Sequence, residues 1–499
     1  MTTQAPFRVS IPAAAIDCFN FYGSYQRPGR GPHFSVVSPY NGQVIGHLRQ
    51  STMEDVHEVI QVALKAQKSW QEMSLRDRCQ IMFRFRELTL QELPELIHLT
   101  SAESGKTLEE SKAEWLKGLE IVEYASSLEN LPLQQVMEVS RGVTCEMKRK
   151  ALGLVVGITP FNFPAMVPLW MIPIALTMGN AFIWKPSDKT PLSSTNICRL
   201  FQKAGLPDGL LTTIHGGALT AESLIIHPEI KAIGFVGSTA IAKTVYQLAT
   251  HHHKRALALG GAKNHLFLLP DADPEMATDA IVDSFTGCAG QRCMAASVLL
   301  TVGDCSDYWP ILLKKIEKKV LGQHMGALIS AQALNFLQQT LLQAQQEQTL
   351  FHLDGRTFNK PYEIYGQGGF WLGPSVLTIK PDQHYLSQTE LFGPILSHIP
   401  CPDISSAIAQ QQRSPYGNAV GILTSSGPLA EHIIRHSHAG MIGVNVGVPV
   451  PREPFSFGGV GASKIGHGDI TGESAVNFWT DLIKITKKWA PQKDKNWMN

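Results

Sequence analysis

Apolar residues recur at helical spacing in "EDVHEVIQVALKAQKSW" and "LTLQELPELIHLTSAES", which predicts mostly helical structure over residues 52–130. After that the pattern changes. "LGLVVGI" (152–158) is a short apolar run that predicts a buried strand, and "AMVPLWMIPIALTMG" predicts a helix stopped at Gly179. "AFIWKPS" (181–187) predicts a second strand, and Thr190-Pro191 offers an N-cap and a first-turn proline for the helix "LSSTNICRLFQKAG". "LTTIHGG" (211–217), "IKAIGFVG" (230–237) and "HLFLLPD" (265–271) continue the strand series with helical stretches between them. Strand–helix alternation of this kind implies right-handed crossovers and parallel sheets covered on both faces. Such sheets hold ligands beyond the carboxyl ends of their strands, so the first half should bind a nucleotide. The alternation resumes after residue 293, predicting a second α/β domain. "QQTLLQAQQEQ" (338–348) predicts a solvated helix.

Length and composition add bounds. A chain of 499 residues exceeds one small core, so two or three domains are expected. Hydrophobic residues at 44% and charged residues at 17% are ordinary for a globular protein, and the net charge of +1 gives no reason to expect a nucleic-acid or membrane-surface partner. No charged residue occurs from Thr159 to Trp184, long enough to span a bilayer. Its four prolines, with Gly179, Asn162 and Asn180, instead predict strand, turn, helix and strand. The N-terminus has no basic stretch followed by an apolar one, which argues against a secretory signal. Arg8, Arg27 and Arg30 among few acids leave an organellar transit segment as the alternative to a cytoplasmic protein. Eight cysteines scattered without a short-spaced framework read as thiols of a reducing compartment.

Two of those cysteines stand close together in "GCAGQRCMAAS" (287–297). A metal pair at Cys288 and Cys293 lacks a second pair or a histidine cluster at ligand spacing, so no metal is expected. Cys288 reads as an inert packed thiol. Cys293 reads either the same way or as a nucleophile, because the adjoining Arg292 favours its thiolate. The glycine fingerprint G-x-G-x-x-G follows none of the strands. "GFVGSTAIA" (234–242) offers only a strand end with Gly237, Ser238 and Thr239 opening a helix, whose N–H groups can hold a pyrophosphate or simply be a capped end. "KPSDKTP" places Lys185 and Asp188 at a strand's carboxyl end, able to bond ribose hydroxyls or to form a polar turn.

Together, "TPFNFP", "WKPSDKTP", "GFVGST", "GQRCMA", "ELFGPIL" and "PFSFGG", in this order and spacing, resemble the aldehyde dehydrogenase superfamily over nearly the whole chain. "PFNFPAMVPLWMIPIALTMGNAF", "GAKNH" and "GVNVGVPVP" are similar to its CoA-acylating methylmalonate-semialdehyde branch. The resemblance implies two parallel-sheet α/β domains plus a small β oligomerisation flap. Residues 1–130 and 151–258 would form the NAD-binding domain, 259–465 the catalytic domain, and 131–150 with 466–499 the oligomerisation segment, giving dimers or tetramers. It implies Cys293 as nucleophile, with the Asn162 amide and the Cys293 N–H as oxyanion donors. Thr159 and Phe161 would line the cofactor path, and Lys185, Asp188 and Lys189 would lie at the adenosine ribose. Ser238 would contact the pyrophosphate, Gly260 the carboxamide, and Glu390 the nicotinamide ribose with Phe392 alongside. Arg292 and Lys117 would grip a substrate carboxylate.

The implied reaction is NAD-dependent oxidation of methylmalonate or malonate semialdehyde, with coenzyme A as co-substrate, to propanoyl-CoA or acetyl-CoA and CO2. The alternatives are a hydrolytic semialdehyde dehydrogenase and a catalytically silent NAD-binding scaffold. Three departures bear on the choice. Leu259 stands where the hydrolytic families carry a glutamate base and the acylating branch usually an asparagine. Lys117, in "EWLKGLEIVEYA", replaces an arginine with a point charge that cannot grip a carboxylate bidentately. The loop between Val320 and Gly326 is shorter than the family's.

Overall fold

In a computed structural model the described residues are 7–380 and 383–489. Five parallel strands form the centre of the first sheet, in the spatial order Arg255–Leu259, Ile230–Val236, Leu154–Ile158, Ala181–Lys185, Leu211–Thr213. Numbered along the chain this is 5-4-1-2-3, a doubly wound order whose direction reverses between Leu154–Ile158 and Ile230–Val236. Every residue of Leu154–Ile158 and Ala181–Lys185 is buried, which is why these runs are apolar without alternation. Short antiparallel strands close the edges: Asn20–Phe21 with Gln26–Arg27 on one side, Lys464–Ile465 on the other. Lys464–Ile465, expected within the catalytic part, thus hydrogen-bonds to the first sheet.

The helical reading of 52–130 resolves into Met53–Trp70, Leu75–Ser104 and Leu108–Ser126. The uncharged stretch becomes the turn 159–165, the helix Met166–Thr177 and the strand Ala181–Lys185, with Gly179 in the left-handed region that ends the helix. No helix among the described residues is long and apolar enough to cross a membrane. One capping expectation fails. The Thr190 hydroxyl caps nothing and is buried without a partner. The Glu103 carboxylate, from helix Leu75–Ser104, accepts the N–H groups of Leu192 (2.7 Å) and Ser193 (2.9 Å) instead. A carboxylate at a helix N-terminus satisfies orphan donors and meets the positive end of the helix dipole. Burial opposes its ionisation and pushes Glu103 up to about 8.

Six parallel strands run through the second sheet, in the order Ser375–Thr378, Ile395–Cys401, Ala296–Val302, Asn264–Leu268, Ala419–Leu423, Met441–Val444, with Leu350–Leu353 antiparallel at the edge. The helix expected over the glutamine-rich stretch is Ala331–Gln346, which buries Leu337, Leu341 and Ala344 on one face. A third sheet pairs Gln135–Ser140 with Val143–Ala151, and Val143–Ala151 with Thr480–Lys488, all antiparallel. Just before the flap's last strand, Gly472–Phe478 packs on Met166–Thr177 in the core of the first sheet. The short 320–326 loop is a tight turn closed by Gly322 N–H to the Met325 carbonyl.

Candidate active site

The two large sheets present opposite ends to one cavity. From the first sheet come loops after carboxyl ends: 159–163 after Leu154–Ile158, 187–189 after Ala181–Lys185, and 237–238 after Ile230–Val236. From the second come loops before amino ends: Cys293 before Ala296–Val302, and Glu390 with Phe392 before Ile395–Cys401. The last two strands are neighbours, so their leading loops lie side by side. The cavity has a volume of about 620 Å³ and is lined by Thr159, Phe161, Asn162, Lys185, Asp188, Lys189, Ser238, Gly260, Cys293, Glu390 and Phe392. Eleven of the thirteen residues singled out in the sequence therefore meet in one place. Arg292 and Lys117 do not line it.

Three consecutive residues before the cysteine, Cys288, Ala289 and Gly290, have φ of 52°, 52° and 71°. Positive φ is costly for the first two, so this loop is held by its surroundings. Gly290 is required twice over: by its φ, and because a Cβ there would lie 2.2 Å from the Gly393 carbonyl oxygen. The cysteine loop is thereby seated on the loop carrying Glu390. Two amides that the sequence reading did not assign complete the anchoring. Asn264 Nδ2 donates to the Cys293 carbonyl (2.7 Å) and the Ala295 carbonyl (2.9 Å), and Asn418 Nδ2 also donates to the Cys293 carbonyl (2.9 Å). Asn264 Oδ1 in turn accepts the Ala419 N–H. The only signal was a polar residue opening the apolar run after "GAK".

Cys293 is half-buried and Cys288 buried. Burial pushes the Cys293 thiol up to about 12, helped by the charge of Glu390 and opposed by its own N–H and by Arg292. Arg292 does favour the thiolate, but burial outweighs it. Its Nη2 donates to the carbonyls of Asp283 and Ser284 at the end of helix Pro274–Thr286, while its Nε is buried without a partner. Lys117 Nζ is bound to Glu120 (2.6 Å) and the Pro451 carbonyl (3.3 Å), and Arg452 shares Glu120.

Asn162 gives one amide hydrogen to the Gln291 carbonyl (2.9 Å), leaving the second for another acceptor. Behind this turn a buried Lys106–Glu114 pair fixes the backbone, with Glu114 accepting the N–H groups of Ala165 and Met166. Lys106 Nζ also lies 3.6 Å from the centre of the Phe163 ring. At the far end Asp188 accepts the Gly216 N–H (2.9 Å), with Gln50 Nε2 at 3.4 Å and Lys185 Nζ at 4.0 Å. Gln50, distant in sequence, carried no signal. Lys189 Nζ sits over the Phe161 ring, which meets Phe392 edge-on.

A nicotinamide dinucleotide fits these residues. Ser238 precedes helix Thr239–His251 and its hydroxyl makes no cap bond, leaving it and the first N–H groups for a pyrophosphate. Asp188 with Lys185 suits a ribose diol. Glu390 Oε1 accepts the Ala262 N–H (2.8 Å), and Gly261 makes room for Oε2, which would lie 2.1 Å from any Cβ there.

A doubly wound sheet and a second sheet that delivers a cysteine to the same cavity define a nucleotide-dependent oxidoreductase of the α/β class. Comparison with known proteins makes the assignment specific. The aldehyde dehydrogenase family profile matches residues 26–485. The chain is 36% identical to malonate-semialdehyde dehydrogenase 1 of Geobacillus kaustophilus, over 91% of this chain and 94% of that one. It is 35% identical to malonate-semialdehyde dehydrogenase of Lacticaseibacillus casei, over 92% and 94%. Among solved structures, methylmalonate-semialdehyde dehydrogenase from Oceanimonas doudoroffii superposes with a TM-score of 0.93 at 32% identity, covering 96% of this chain and 99% of that one. An NAD complex from Sinorhizobium meliloti 1021, named for the same activity, gives a TM-score of 0.93 at 31% identity with the same coverage. This protein belongs to the aldehyde dehydrogenase family.

Proposed function

We propose that this chain oxidises a short carboxylated semialdehyde, methylmalonate or malonate semialdehyde, and passes the acyl group to coenzyme A as propanoyl-CoA or acetyl-CoA, with release of CO2. The observation that carries the reading is Cys293 in one cavity with Asn162, Glu390, Asp188 and Ser238. The names of the relatives support the substrate class. Cys293 attacks the aldehyde carbon. The oxyanion that forms is met by the free amide hydrogen of Asn162 and the Cys293 N–H, donors placed before charge develops. NAD, when bound, accepts the hydride. Glu390 orients the nicotinamide ribose, and Asp188 with Lys185 the adenosine ribose. A carboxylated acyl thioester is left on Cys293; its carboxylate leaves as CO2 and the carbanion left behind takes up a proton, and the CoA thiol then attacks the thioester carbonyl and releases the Cys293 thiol. Nicotinamide absorbance followed with and without CoA across a panel of semialdehydes tests the whole reading. No activity with any of them would overturn it.

Cofactor choice follows from Asp188. Its carboxylate accepts a hydrogen bond from a ribose 2′-hydroxyl and repels a 2′-phosphate, so kcat/KM should favour NAD over NADP. A charged hydrogen bond is worth about 1.5–3 kcal/mol, which corresponds to roughly ten- to a hundredfold. Lys185 and Lys189 beside it pull toward the lower end. A preference for NADP contradicts the assignment.

Arg292 is assigned to the substrate carboxylate through its unpartnered Nε, with Lys117, already engaged by Glu120, as the second cation. Arg292→Ala should raise KM for malonate semialdehyde by about ten- to a hundredfold and leave propanal nearly unchanged, since only a charged substrate loses its partner. An equal effect on both aldehydes would restrict Arg292 to supporting the helix end at 283–284.

Assembly into dimers or tetramers is supported by the flap, where Val136, Met137 and Val139 are more than half exposed. Eight unpaired cysteines suit a reducing compartment such as the cytoplasm.

A further inference from the structure

Cys288 and Ala289, in the loop that leads to Cys293, lie in the left-handed region at φ of 52°, although neither is glycine. Such a conformation is costly and persists only where the contacts around it hold it. One of those contacts comes from a helix far away in sequence. Glu110 Oε1 accepts the Cys288 N–H at 2.6 Å, across 178 positions of the chain. A carboxylate makes a stronger hydrogen bond of this kind than a neutral acceptor does. The carboxylate is itself fixed. Glu110 stands in the first turn of helix Leu108–Ser126, where its Oε2 accepts the Thr107 N–H (2.9 Å) and its own N–H donates to Thr107 Oγ1 (3.2 Å). This capping box holds one carboxylate oxygen on its own helix and leaves the other aimed at the cysteine loop.

One turn further along the same helix face, Glu114 Oε1 accepts the N–H groups of Ala165 (2.8 Å) and Met166 (3.1 Å), at the end of the turn that carries Asn162. Asn162 Nδ2 then crosses to the Gln291 carbonyl (2.9 Å). The two oxyanion donors named above belong to different loops: the Asn162 amide to 159–165, the Cys293 N–H to 287–293. Both loops are fastened to one helix by carboxylates four residues apart, about 6 Å along its axis. A single rigid element therefore sets where one donor lies relative to the other.

We propose that Glu110 is a positioning residue for the oxidation: by holding the Cys288 N–H it keeps the cysteine loop aligned with the Asn162 turn, so that Cys293 meets the aldehyde with both donors at its oxygen. Glu110 does not line the cavity and touches no reacting atom. The proposal rests on the nucleophile role given to Cys293 above. Without the tether, residues 288–290 relax toward ordinary φ and Cys293 shifts with them. A misplacement of about 1 Å at a reacting group costs up to about 10²-fold in rate. The oxyanion exists only after attack, so the loss falls on kcat and leaves KM nearly unchanged.

The test is a single turnover with enzyme in excess over malonate semialdehyde at saturating NAD, read by nicotinamide absorbance, so that removal of the acyl group does not enter. Glu110→Ala should slow the step by about 10- to 100-fold, with NAD affinity unchanged. Glu110→Gln keeps an oxygen for the Cys288 N–H and should stay within about fivefold of wild type. Thr107→Ala removes the cap bond to the Glu110 N–H yet leaves both carboxylate contacts. It should lower the melting temperature and keep the wild-type rate. Hydrogen exchange over 287–292 should be faster in Glu110→Ala and unchanged in Thr107→Ala. Glu110→Leu, closer in size to glutamate, gives the same reading should the alanine variant fail to fold. A wild-type rate in folded Glu110→Ala or Glu110→Leu overturns the proposal. So does Glu110→Gln as slow as Glu110→Ala, which would give the effect to charge, or an equal loss in Thr107→Ala, which would give it to helix stability. Full turnover in Cys293→Ser would instead overturn the nucleophile role on which the proposal rests.

Discussion

Cys293→Ser should abolish turnover, by on the order of 10⁴-fold or more, while NAD affinity changes less than about twofold. A serine hydroxyl has a far higher pKa than a thiol, so it supplies far less of the reactive anion. Even the thiol needs help, because burial holds it up at about 12. In the enzyme without NAD, alkylation of Cys293 by iodoacetamide should therefore be slow at pH 7 and rise about tenfold for each pH unit until the thiol titrates. Cys288→Ser should keep kcat/KM within a few-fold of wild type. Its thiol is buried, also up at about 12, and lines no part of the cavity. Equal losses in the two variants would mean that the strained 288–290 backbone, not the thiol of Cys293, carries the effect. Retained turnover in Cys293→Ser would remove the nucleophile assignment altogether.

How much of this was legible in the sequence depended on whether a feature was local. Leu154–Ile158 is a continuous apolar run, Ala181–Lys185 is apolar up to its last residue and Ile230–Val236 is broken only by the exposed Lys231, and all three lie where the pattern puts them. Arg255–Leu259 was not read as a strand, because five residues after a histidine run carry little periodicity; its partner on the sheet decides it. The N-terminal strands up to Arg49 were likewise unread, since they are only two to six residues long and alternate weakly. In the site, motif residues were legible by resemblance, but the groups that hold them were not. Glu103 replaces Thr190 as a cap from 89 positions away in sequence, and Asn418 reaches the Cys293 carbonyl from 125. No local pattern encodes such contacts. The amino-end delivery of Cys293 and Glu390 was missed for a related reason: the rule that ligands meet carboxyl ends holds for a single sheet, and here a second sheet faces the first.

Without CoA, a burst of NADH followed by slow turnover should be seen, and CoA should accelerate the steady state by about 10²–10⁴-fold, the range that base catalysis contributes to a step lacking it. Water can remove the acyl group from Cys293 only if a base draws off its proton. Leu259, which the family resemblance places where a hydrolytic base would stand, is 4% exposed, packs in the apolar core and does not line the cavity. CoA brings a thiol that is a better nucleophile at neutral pH than unassisted water, so transfer to CoA proceeds without such a base. Leu259→Glu would bury a carboxylate among apolar side chains, which raises its pKa. Its gain in CoA-independent turnover should therefore be small at pH 7 and grow as pH rises, with a loss of stability alongside. Two carboxylates do line the cavity. Asp188 lies in the loop after Ala181–Lys185, away from the cysteine loop, whereas Glu390 stands next to that loop and is pushed up by burial to about 7. Steady turnover to the free acid, indifferent to CoA and lost in Glu390→Gln at saturating NAD, would make Glu390 the base for water and the enzyme hydrolytic. Acyl-CoA as the product, with a CoA-dependent rate, leaves the acyl transfer to the CoA thiol itself.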